Sequence, residues 1–347
     1  MRKATRIGIL LLALVLGCGA ALSAWAEGAR VIVSIGDSYS SGEGIEPFYG
    51  QEKEMTERCA DPDWLAHRSR QNWPGLLTLP AVDGPMKDHR GENWFFAAAS
   101  GAQTKHLFLL TEEEIRDGAS AEQEKQYDRD GVSGTALLAP QLDIFDELDR
   151  LGLKADYVTV TIGGNDIGFA GVVTMSYSGM STLLPGSTVE EKAESLWRDK
   201  YIEDGVRENI RRAYSDIARR AGPQACIIVA GYPHVLAPYC GEYEFPGDSP
   251  AIMNAAVDMF NAELRDIVEE CRAEGMNIVF VSVTEAFEGH GAYSDEPYIN
   301  PVKLHAAPQD LKEKMTASMY SMHPNAEGAA AYARCVQEAI DRLEAEK

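Results

Sequence analysis

Five short apolar runs, separated by long stretches with the periodicity of amphipathic helices, constrain this chain more than any other feature of its sequence. The apolar runs cover residues 30–35, 93–98, 156–162, 225–230 and 277–283, and the helical patterns cover residues 137–151, 204–220, 250–273 and 326–345. Strands that alternate with helices predict a parallel sheet with both faces covered. We therefore predict an α/β fold of three layers, with a flavodoxin-like doubly wound sheet of about five parallel strands and helices on both faces.

The first 26 residues have the pattern of a secretory signal peptide. They begin with three basic residues, continue with an apolar stretch at 7–16, and end in the cleavage site Ala24-Trp25-Ala26. The apolar stretch is shorter than a membrane-spanning helix requires. We expect cleavage after this site and a secreted protein in which residues 27–347 form a single domain. The alternative is a lipoprotein anchored through Cys18, because the residues before it resemble a lipoprotein cleavage site.

Cleavage leaves 29 basic and 54 acidic residues, a net charge of −25, because the signal peptide holds three basic residues and no acidic one. Such a charge repels nucleic acid and anionic membrane surfaces. We therefore expect no nucleic-acid partner and no stable membrane insertion. About 320 residues suffice for one α/β domain with a buried core, and we expect a monomer.

Five cysteines follow the predicted cleavage site, so at least one thiol has no partner within the chain. None of them forms a Cys-x-x-Cys spacing, and we expect neither a metal nor a cofactor. Cys226 begins one predicted strand, and Cys271 lies near the end of the next predicted helix. Because an exported protein can hold disulfides, we hypothesise that these two cysteines pair at one edge of the sheet.

A serine follows the first predicted strand in the motif Gly36-Asp37-Ser38. Open parallel sheets bind ligands at the carboxyl ends of their strands, so Ser38 occupies a place suited to chemistry. A serine nucleophile needs a base and donors for the oxyanion. The same three residue types recur at Gly247-Asp248-Ser249, where Pro250 and a helical pattern follow. There we predict a helix N-cap at Ser249.

Three further motifs could supply the missing parts of such a site. Gly101 follows the second predicted strand and could present its backbone N–H to an oxyanion, and Asn165 follows the third and could donate its side-chain amide. His323, fixed by Pro324 before the last helix, could act as the general base. Each motif by itself is also explained as an ordinary turn. Six other histidines compete for the role of base: His67, His89, His106, His234, His290 and His305.

Taken in chain order, Ser38, Gly101, Asn165 and His323 resemble the four sequence blocks of the SGNH hydrolase family, also called GDSL esterases and lipases. Stretches similar to its secreted actinobacterial branch occur at residues 68–74, 231–233 and 287–290. The resemblance implies that Ser38 attacks an ester carbonyl while His323 takes its proton. It also implies an oxyanion hole made of the N–H groups of Ser38 and Gly101 and the side chain of Asn165.

One position departs from the family pattern. Many members carry an aspartate three residues before the histidine, where this chain has Tyr320. A phenol cannot replace a carboxylate at neutral pH, so we expect a Ser38–His323 dyad in which the Tyr320 carbonyl orients the imidazole.

The resemblance implies a secreted esterase or lipase that acts on a small-molecule or lipid ester. Two alternatives stay open: a carbohydrate deacetylase of the same family, and a binding protein with a degenerate site. Residues 46–92, which are rich in proline, and residues 170–195 are predicted to form long loops. Such loops could wall a substrate pocket or simply elaborate the surface.

Overall fold

The computed structural model describes residues 28–53, 60–168, 186–195, 205–237, 248–302 and 320–347. The strands are β1 (Ile32–Gly36), β2 (Trp94–Phe96), β3 (Gln123–Arg129), β4 (Val132–Leu138), β5 (Tyr157–Thr161), β6 (Cys226–Ala230) and β7 (Ile278–Val281). The α-helices are α1 (Ser38–Ser41), α2 (Pro62–Leu65), α3 (Trp73–Leu76), α4 (Glu112–Arg116), α5 (Ile144–Leu151), α6 (Val206–Ala221), α7 (Ser249–Ala273) and α8 (Ala326–Ala345). Single 3₁₀ turns cover Met86–His89, Thr104–Leu107, Gln141–Asp143 and Glu285–Phe287.

Five parallel strands form the central sheet in the order β2–β1–β5–β6–β7. Counted along the chain within this sheet, the order is 2-1-3-4-5, as in flavodoxin-like folds. Ile32 of β1 pairs with Trp94 on one side and with Tyr157 on the other. The winding direction therefore reverses between β1 and β5, and folds of this kind bind ligands at that point, at the carboxyl ends of the strands. The predicted fold class is confirmed.

The central strands are buried because helices cover the sheet. Every residue of β1, β5 and β6 is buried, and β-branched residues such as Val33, Val158 and Ile228 suit that pleated, packed surface. Helices α6 and α7 pack against each other and against β6 and β7, whereas α8 packs against α3 and β7. Connections that wind in opposite directions from β1 place their helices on opposite faces of the sheet.

The antiparallel hairpin β3–β4 forms a separate sheet that strand–helix alternation does not predict. Asp130 and Gly131 make its turn with positive φ angles of 56° and 76°, which suit a two-residue hairpin turn. The predicted helix over residues 137–151 is wrong in its first part, because Leu138 still pairs with Gln123 and α5 begins only after a 3₁₀ turn. The Asp130-Gly131 pair is the signal that could have revealed the hairpin.

The predicted N-cap at Ser249 is displaced by one residue. Ser249 is the first residue of α7, and Asp248 takes the cap position without capping the backbone. The Asp248 carboxylate instead accepts a hydrogen bond of 2.9 Å from Lys192. An ion pair therefore replaces the expected side-chain cap.

The hypothesised disulfide between Cys226 and Cys271 is wrong, because both are free thiols. The Cys226 thiol lies near the charges of Lys347 and Arg272, whereas the Cys271 thiol lies near Arg211 of α6. The two side chains therefore face different neighbours. Burial raises the pKa of both thiols, to about 11 for Cys226.

No helix in the described part of the chain is long and apolar enough to span a membrane. Several sequence predictions lie outside the described residues: the signal peptide, Cys18, Cys59, Cys240 and residues 170–185. Among the predicted loops, residues 46–92 carry the short helices α2 and α3 and the turn Met86–His89.

Candidate active site

Ser38 lies in a tight turn at the carboxyl end of β1. Gly36 ends the strand with a φ angle of 120°, and a Cβ atom there would lie 2.2 Å from the Thr161 carbonyl oxygen of β5. Only glycine allows that approach. Asp37 then caps α1 by accepting a hydrogen bond of 3.0 Å from the Tyr39 N–H. Ser38 is the first residue of this helix and is 6% exposed.

The carboxylate of Asp37 links the ends of three strands beside Ser38. It accepts a hydrogen bond of 2.6 Å from the Thr161 hydroxyl at the end of β5 and another from the Tyr232 phenol after β6. The Tyr232 oxygen in turn accepts the Gly164 N–H at 3.3 Å. Burial raises the pKa of Asp37 to about 6, although its hydrogen bonds oppose that shift. The sequence signal for Tyr232 is its place in the family-like stretch 231–233.

His323 contacts Ser38 directly. Its Nε2 atom lies 2.8 Å from Ser38 Oγ, and its Nδ1 atom lies 3.0 Å from the main-chain oxygen of Ser321. A carbonyl oxygen can only accept, so Nδ1 carries the proton and Nε2 is the acceptor for the serine hydroxyl. The imidazole is therefore held in the tautomer that can take a proton from Ser38.

The prediction that the Tyr320 carbonyl orients the imidazole is wrong by one residue. The accepting carbonyl belongs to Ser321, because the chain turns at Met322 with a φ angle of 60°. Met322 is held by its own contacts, since its carbonyl accepts a hydrogen bond of 2.8 Å from the Tyr39 hydroxyl. The Tyr320 phenol donates to Glu46.

The loops that follow β2 and β5 meet beside the turn that holds Ser38. The Ala99 N–H donates to the Gly36 carbonyl at 3.0 Å, and the Asn165 side chain donates to the Ala102 carbonyl at 2.9 Å. These contacts bring the loops that carry Gly101 and Asn165 to the edge of the sheet where Ser38 lies.

Three donors in this part of the site are candidates for an oxyanion hole. Within the described residues, the N–H groups of Ser38 and Gly101 have no acceptor. The amide of Asn165 keeps a second hydrogen after binding Ala102. Gly101 has a φ angle of 74°, a left-handed conformation that favours glycine. Such donors beside a nucleophile are what the stabilisation of an oxyanion requires.

A buried carboxylate that the motifs do not predict lies near His323 and is hydrogen-bonded to a second histidine. The Glu43 carboxylate is fully buried and lies 2.7 Å from His67 Nδ1. Burial opposes its charged form, but the hydrogen bond with His67 and the electrostatic interactions with His67 and His323 outweigh burial and lower its pKa. The Glu43 N–H also donates to the Ser38 carbonyl at 3.0 Å. The carboxylate of Glu43 therefore lies close enough to His323 to interact with it electrostatically, and its backbone is bound to that of Ser38.

A serine hydrogen-bonded to an oriented imidazole, at the switch point of a parallel sheet, is the arrangement of a serine-dependent hydrolase. Comparison with known proteins agrees with this class. The chain matches the model of the GDSL-like Lipase/Acylhydrolase family over residues 34–331. It belongs to this family and is a carboxylic ester hydrolase, so the resemblance to the SGNH hydrolases is confirmed.

Two Streptomyces proteins illustrate the relationship. The chain is 29% identical to a lipase of Streptomyces rimosus over 291 residues, which are 83% of this chain and 82% of the relative. It is 28% identical to Lipase 1 of Streptomyces coelicolor over 313 residues, which are 87% of this chain and 90% of the relative.

Solved structures share the fold. The crystal structure of an extracellular lipase from Streptomyces rimosus superposes with a TM-score of 0.54 at 24% identity, over 90% of this chain and 100% of that one. Phospholipase A1 from Streptomyces albidoflavus gives a TM-score of 0.54 at 19% identity, over 90% of this chain and 99% of that one.

Proposed function

We propose that this protein is an exported serine esterase or lipase in which Ser38 and His323 form the catalytic dyad. The observation that carries the proposal is the distance of 2.8 Å between Ser38 Oγ and His323 Nε2, with the opposite ring nitrogen bound to the Ser321 carbonyl. A nucleophile within hydrogen-bond reach of an oriented base is the arrangement that acyl transfer needs.

In the first half of the reaction, Ser38 Oγ attacks the carbonyl carbon of the ester while its proton moves to His323 Nε2. The tetrahedral intermediate collapses, the bond to the leaving oxygen breaks, and His323 returns the proton to the alcohol. In the second half, water attacks the acyl-enzyme while His323 accepts its proton. Collapse of this second intermediate releases the carboxylic acid and restores the Ser38 hydroxyl.

The negative oxygen of each intermediate would be bound by the N–H groups of Ser38 and Gly101 and by the side chain of Asn165. The absence of an acceptor for these two N–H groups in the described residues supports this assignment. Loss of one oxyanion donor lowers kcat by about 100-fold to 1,000-fold in enzymes of this kind. An Asn165→Ala variant is expected to fall in that range.

The charge that an aspartate supplies in many relatives would come here in part from Glu43. The Ser321 carbonyl orients His323 but carries only a partial charge, which stabilises an imidazolium less than a carboxylate does. Glu43 is buried close by, and its hydrogen bond with His67, together with its electrostatic interactions with His67 and His323, lowers its pKa, so that the carboxylate is ionised at neutral pH. The mechanism therefore separates the orienting group from the charged group.

Export is part of the same proposal. Its support is the signal-peptide pattern of residues 1–26 and the description of one structural neighbour as an extracellular lipase. The intact mass of the exported protein tests it: cleavage after Ala26 leaves an unmodified chain beginning at Glu27, whereas lipidation leaves a heavier chain beginning at Cys18.

The substrate would be a carboxylic ester of a small molecule or lipid. Two relatives from Streptomyces are named as lipases, which supports a lipid ester as substrate over an acetylated sugar. A series of p-nitrophenyl esters from acetate to palmitate, measured beside an acetylated oligosaccharide, would set the acyl length and separate a lipase from a carbohydrate deacetylase.

The decisive experiment compares the mature protein with Ser38→Ala and His323→Ala on p-nitrophenyl acetate and palmitate. Both variants are expected to lose turnover while circular dichroism shows an intact fold. Ser249→Ala is the matched control, because Ser249 lies in the second Gly-Asp-Ser string and should leave turnover unchanged. Turnover that survives Ser38→Ala would contradict the mechanism.

A further inference from the structure

The carbonyl of Ser100 accepts two hydrogen bonds from the β3–β4 hairpin. Gln123 Nε2 donates to it at 2.8 Å and Lys125 Nζ donates at 2.9 Å. The two residues are separated by one position of β3, so their side chains project to the same face of the strand. The side-chain amide and the ammonium group of the hairpin therefore bind the loop that follows β2.

The same peptide unit carries the N–H of Gly101. A trans peptide is planar, and its C=O and N–H bonds point in opposite directions. Holding the Ser100 carbonyl toward the hairpin therefore directs the Gly101 N–H away from it. That N–H has no acceptor in the described residues.

We propose that Lys125 and Gln123 are positioning residues for the oxyanion hole, which orient the Ser100–Gly101 peptide and polarise it so that the Gly101 N–H becomes a stronger donor. The inference rests on the proposed function, in which Gly101 is an oxyanion donor. In this proposal Lys125 and Gln123 act through the peptide that they hold, because both donate to the Ser100 carbonyl.

Lys125 is the residue that polarises the Ser100–Gly101 peptide. A hydrogen bond from an ionised donor is about twice as strong as one between neutral groups. A carbonyl that accepts it transfers the effect to the N–H of the same peptide, as in cooperative hydrogen-bond chains. Lys125 is only partly exposed, and burial lowers the pKa of its ammonium group, while the buried charge of Glu43 opposes that shift. The ammonium group of Lys125 binds the Ser100 carbonyl although burial opposes its charge, which supports an electrostatic effect on that peptide.

The rest of the loop is held by other groups. Arg68 donates from Nη2 to the Ala97 carbonyl at 2.9 Å and from Nε to the Ala98 carbonyl at 2.8 Å. The Ser100 N–H donates to the Ala66 carbonyl at 2.9 Å. Removal of the Lys125 contact should therefore alter one peptide and leave the loop folded.

The competing explanation is that Lys125 and Gln123 merely attach the hairpin to the domain. In that case their loss would lower the free energy of unfolding without a specific effect on the transition state. An effect on the oxyanion hole would instead lower kcat, leave KM nearly constant and weaken the binding of a tetrahedral adduct by the same factor.

The experiment compares four Lys125 and Gln123 variants with the wild type on the ester that it hydrolyses best. Lys125→Met removes the donor and the charge, Lys125→Gln keeps a neutral donor, Lys125→Arg keeps the charge, and Gln123→Leu removes the second donor. Lys154→Met is the control for loss of an exposed lysine, which donates to Asp149 at 2.8 Å. Each protein is measured for kcat, KM, thermal unfolding and the inhibition constant of an alkyl boronic acid, which forms a tetrahedral adduct with the serine.

We expect Lys125→Met to lower kcat about 10-fold, less than the loss of a whole oxyanion donor, with KM changed by less than about 2-fold. The boronic acid should bind more weakly by about the same factor, and Lys125→Arg should restore most of both losses. Lys125→Gln and Gln123→Leu should show intermediate losses, which keeps the inference testable if Lys125→Met does not fold.

Wild-type kcat in Lys125→Met, or a loss of kcat with unchanged boronic acid affinity, would overturn the positioning role while leaving the proposed function intact. An equal loss in Lys154→Met would also overturn it, because the effect would then belong to net charge. A wild type that hydrolyses no ester would contradict the proposed function and this inference together.

Discussion

The Thr161 hydroxyl lies 2.6 Å from the carboxylate of Asp37, so that the last residue of β5 binds the residue directly before the nucleophile. The Tyr232 phenol binds the same carboxylate from the end of β6. Strand pairing alone does not determine the orientation of side chains at the end of a sheet. This buried carboxylate connects strands at the switch point and supports the turn that holds Ser38.

Replacement of Asp37 by Asn should change how stability depends on pH. Burial raises the pKa of Asp37 from its ordinary 3.8 to about 6. Between these values the unfolded chain releases a proton that the folded protein keeps, so the wild type loses stability as the pH rises through this window. The asparagine does not titrate, so from pH 4 to pH 7 the wild type should lose about 2 kcal/mol of stability relative to the variant. Urea unfolding of both proteins across that range measures the difference. If the free energy of unfolding depended on pH in the same way in both, the raised pKa of Asp37 would be contradicted.

Tyr39→Phe should impair turnover through the position of His323. The Tyr39 hydroxyl donates to the Met322 carbonyl at 2.8 Å, directly before the histidine. Loss of this bond should lower stability by about 1–2 kcal/mol and kcat by about 10-fold, since small misplacements of a base are costly. Tyr332→Phe is the matched control, because that buried hydroxyl donates at 2.7 Å to the Gly231 carbonyl. It should lose similar stability and little kcat, and equal kcat losses would argue against a positioning role.

Gly36→Ala should destabilise the protein far more than Gly152→Ala. Both glycines have positive φ angles, 120° and 71°. A Cβ atom at position 36 would lie 2.2 Å from a β5 backbone oxygen, whereas nothing lies within 4 Å at position 152. We expect about 1 kcal/mol for Gly152→Ala from backbone strain alone, and about 4 kcal/mol or more for Gly36→Ala. Urea denaturation of the two variants gives the comparison, and similar losses would mean that the β1–β5 approach is not tight.

Glu43→Gln should lower stability at neutral pH and reduce the sensitivity to acid. The pKa of Glu43 is below its ordinary 4.5 because its interactions with His67 outweigh burial. The stabilisation that this shift supplies is present above pH 4.5 and is lost as the pH falls through the lowered value. The variant should lose about 2 kcal/mol at pH 7, and the gap from the wild type should narrow in acid. Glu124→Gln, at an exposed position of β3, is the control and should show neither effect.

The same Glu43→Gln variant tests the electrostatic part of the dyad. Without the buried charge, the imidazolium that forms during the reaction is less stabilised, so kcat should fall by about 10-fold. KM should change little, because the glutamine contacts no substrate in the proposed mechanism. A variant with wild-type kcat would assign Glu43 a purely structural role.

Local patterns in the sequence were enough to locate the central strands. The ends of each observed strand of that sheet lie within two residues of the ends of its predicted run. Short apolar stretches rich in β-branched residues and bounded by turns are typical of buried strands. The four chemical motifs were equally visible, because nucleophile, base and donor need particular residue types at strand ends. The sequence patterns do not predict the hairpin β3–β4, because β3 is polar and only the first residue of β3 and the last residue of β4 are buried.

Residue type and order along the chain therefore determined the α/β fold, the family and the candidate residues Ser38, Gly101, Asn165 and His323. The tertiary structure decided which atoms meet. The Ser321 carbonyl orients the imidazole because the backbone turns at Met322, and Glu43 pairs with His67 across 24 positions of the chain. Such contacts depend on backbone direction and on the packing of segments that are distant in the chain. A linear pattern of residue types does not specify either of these.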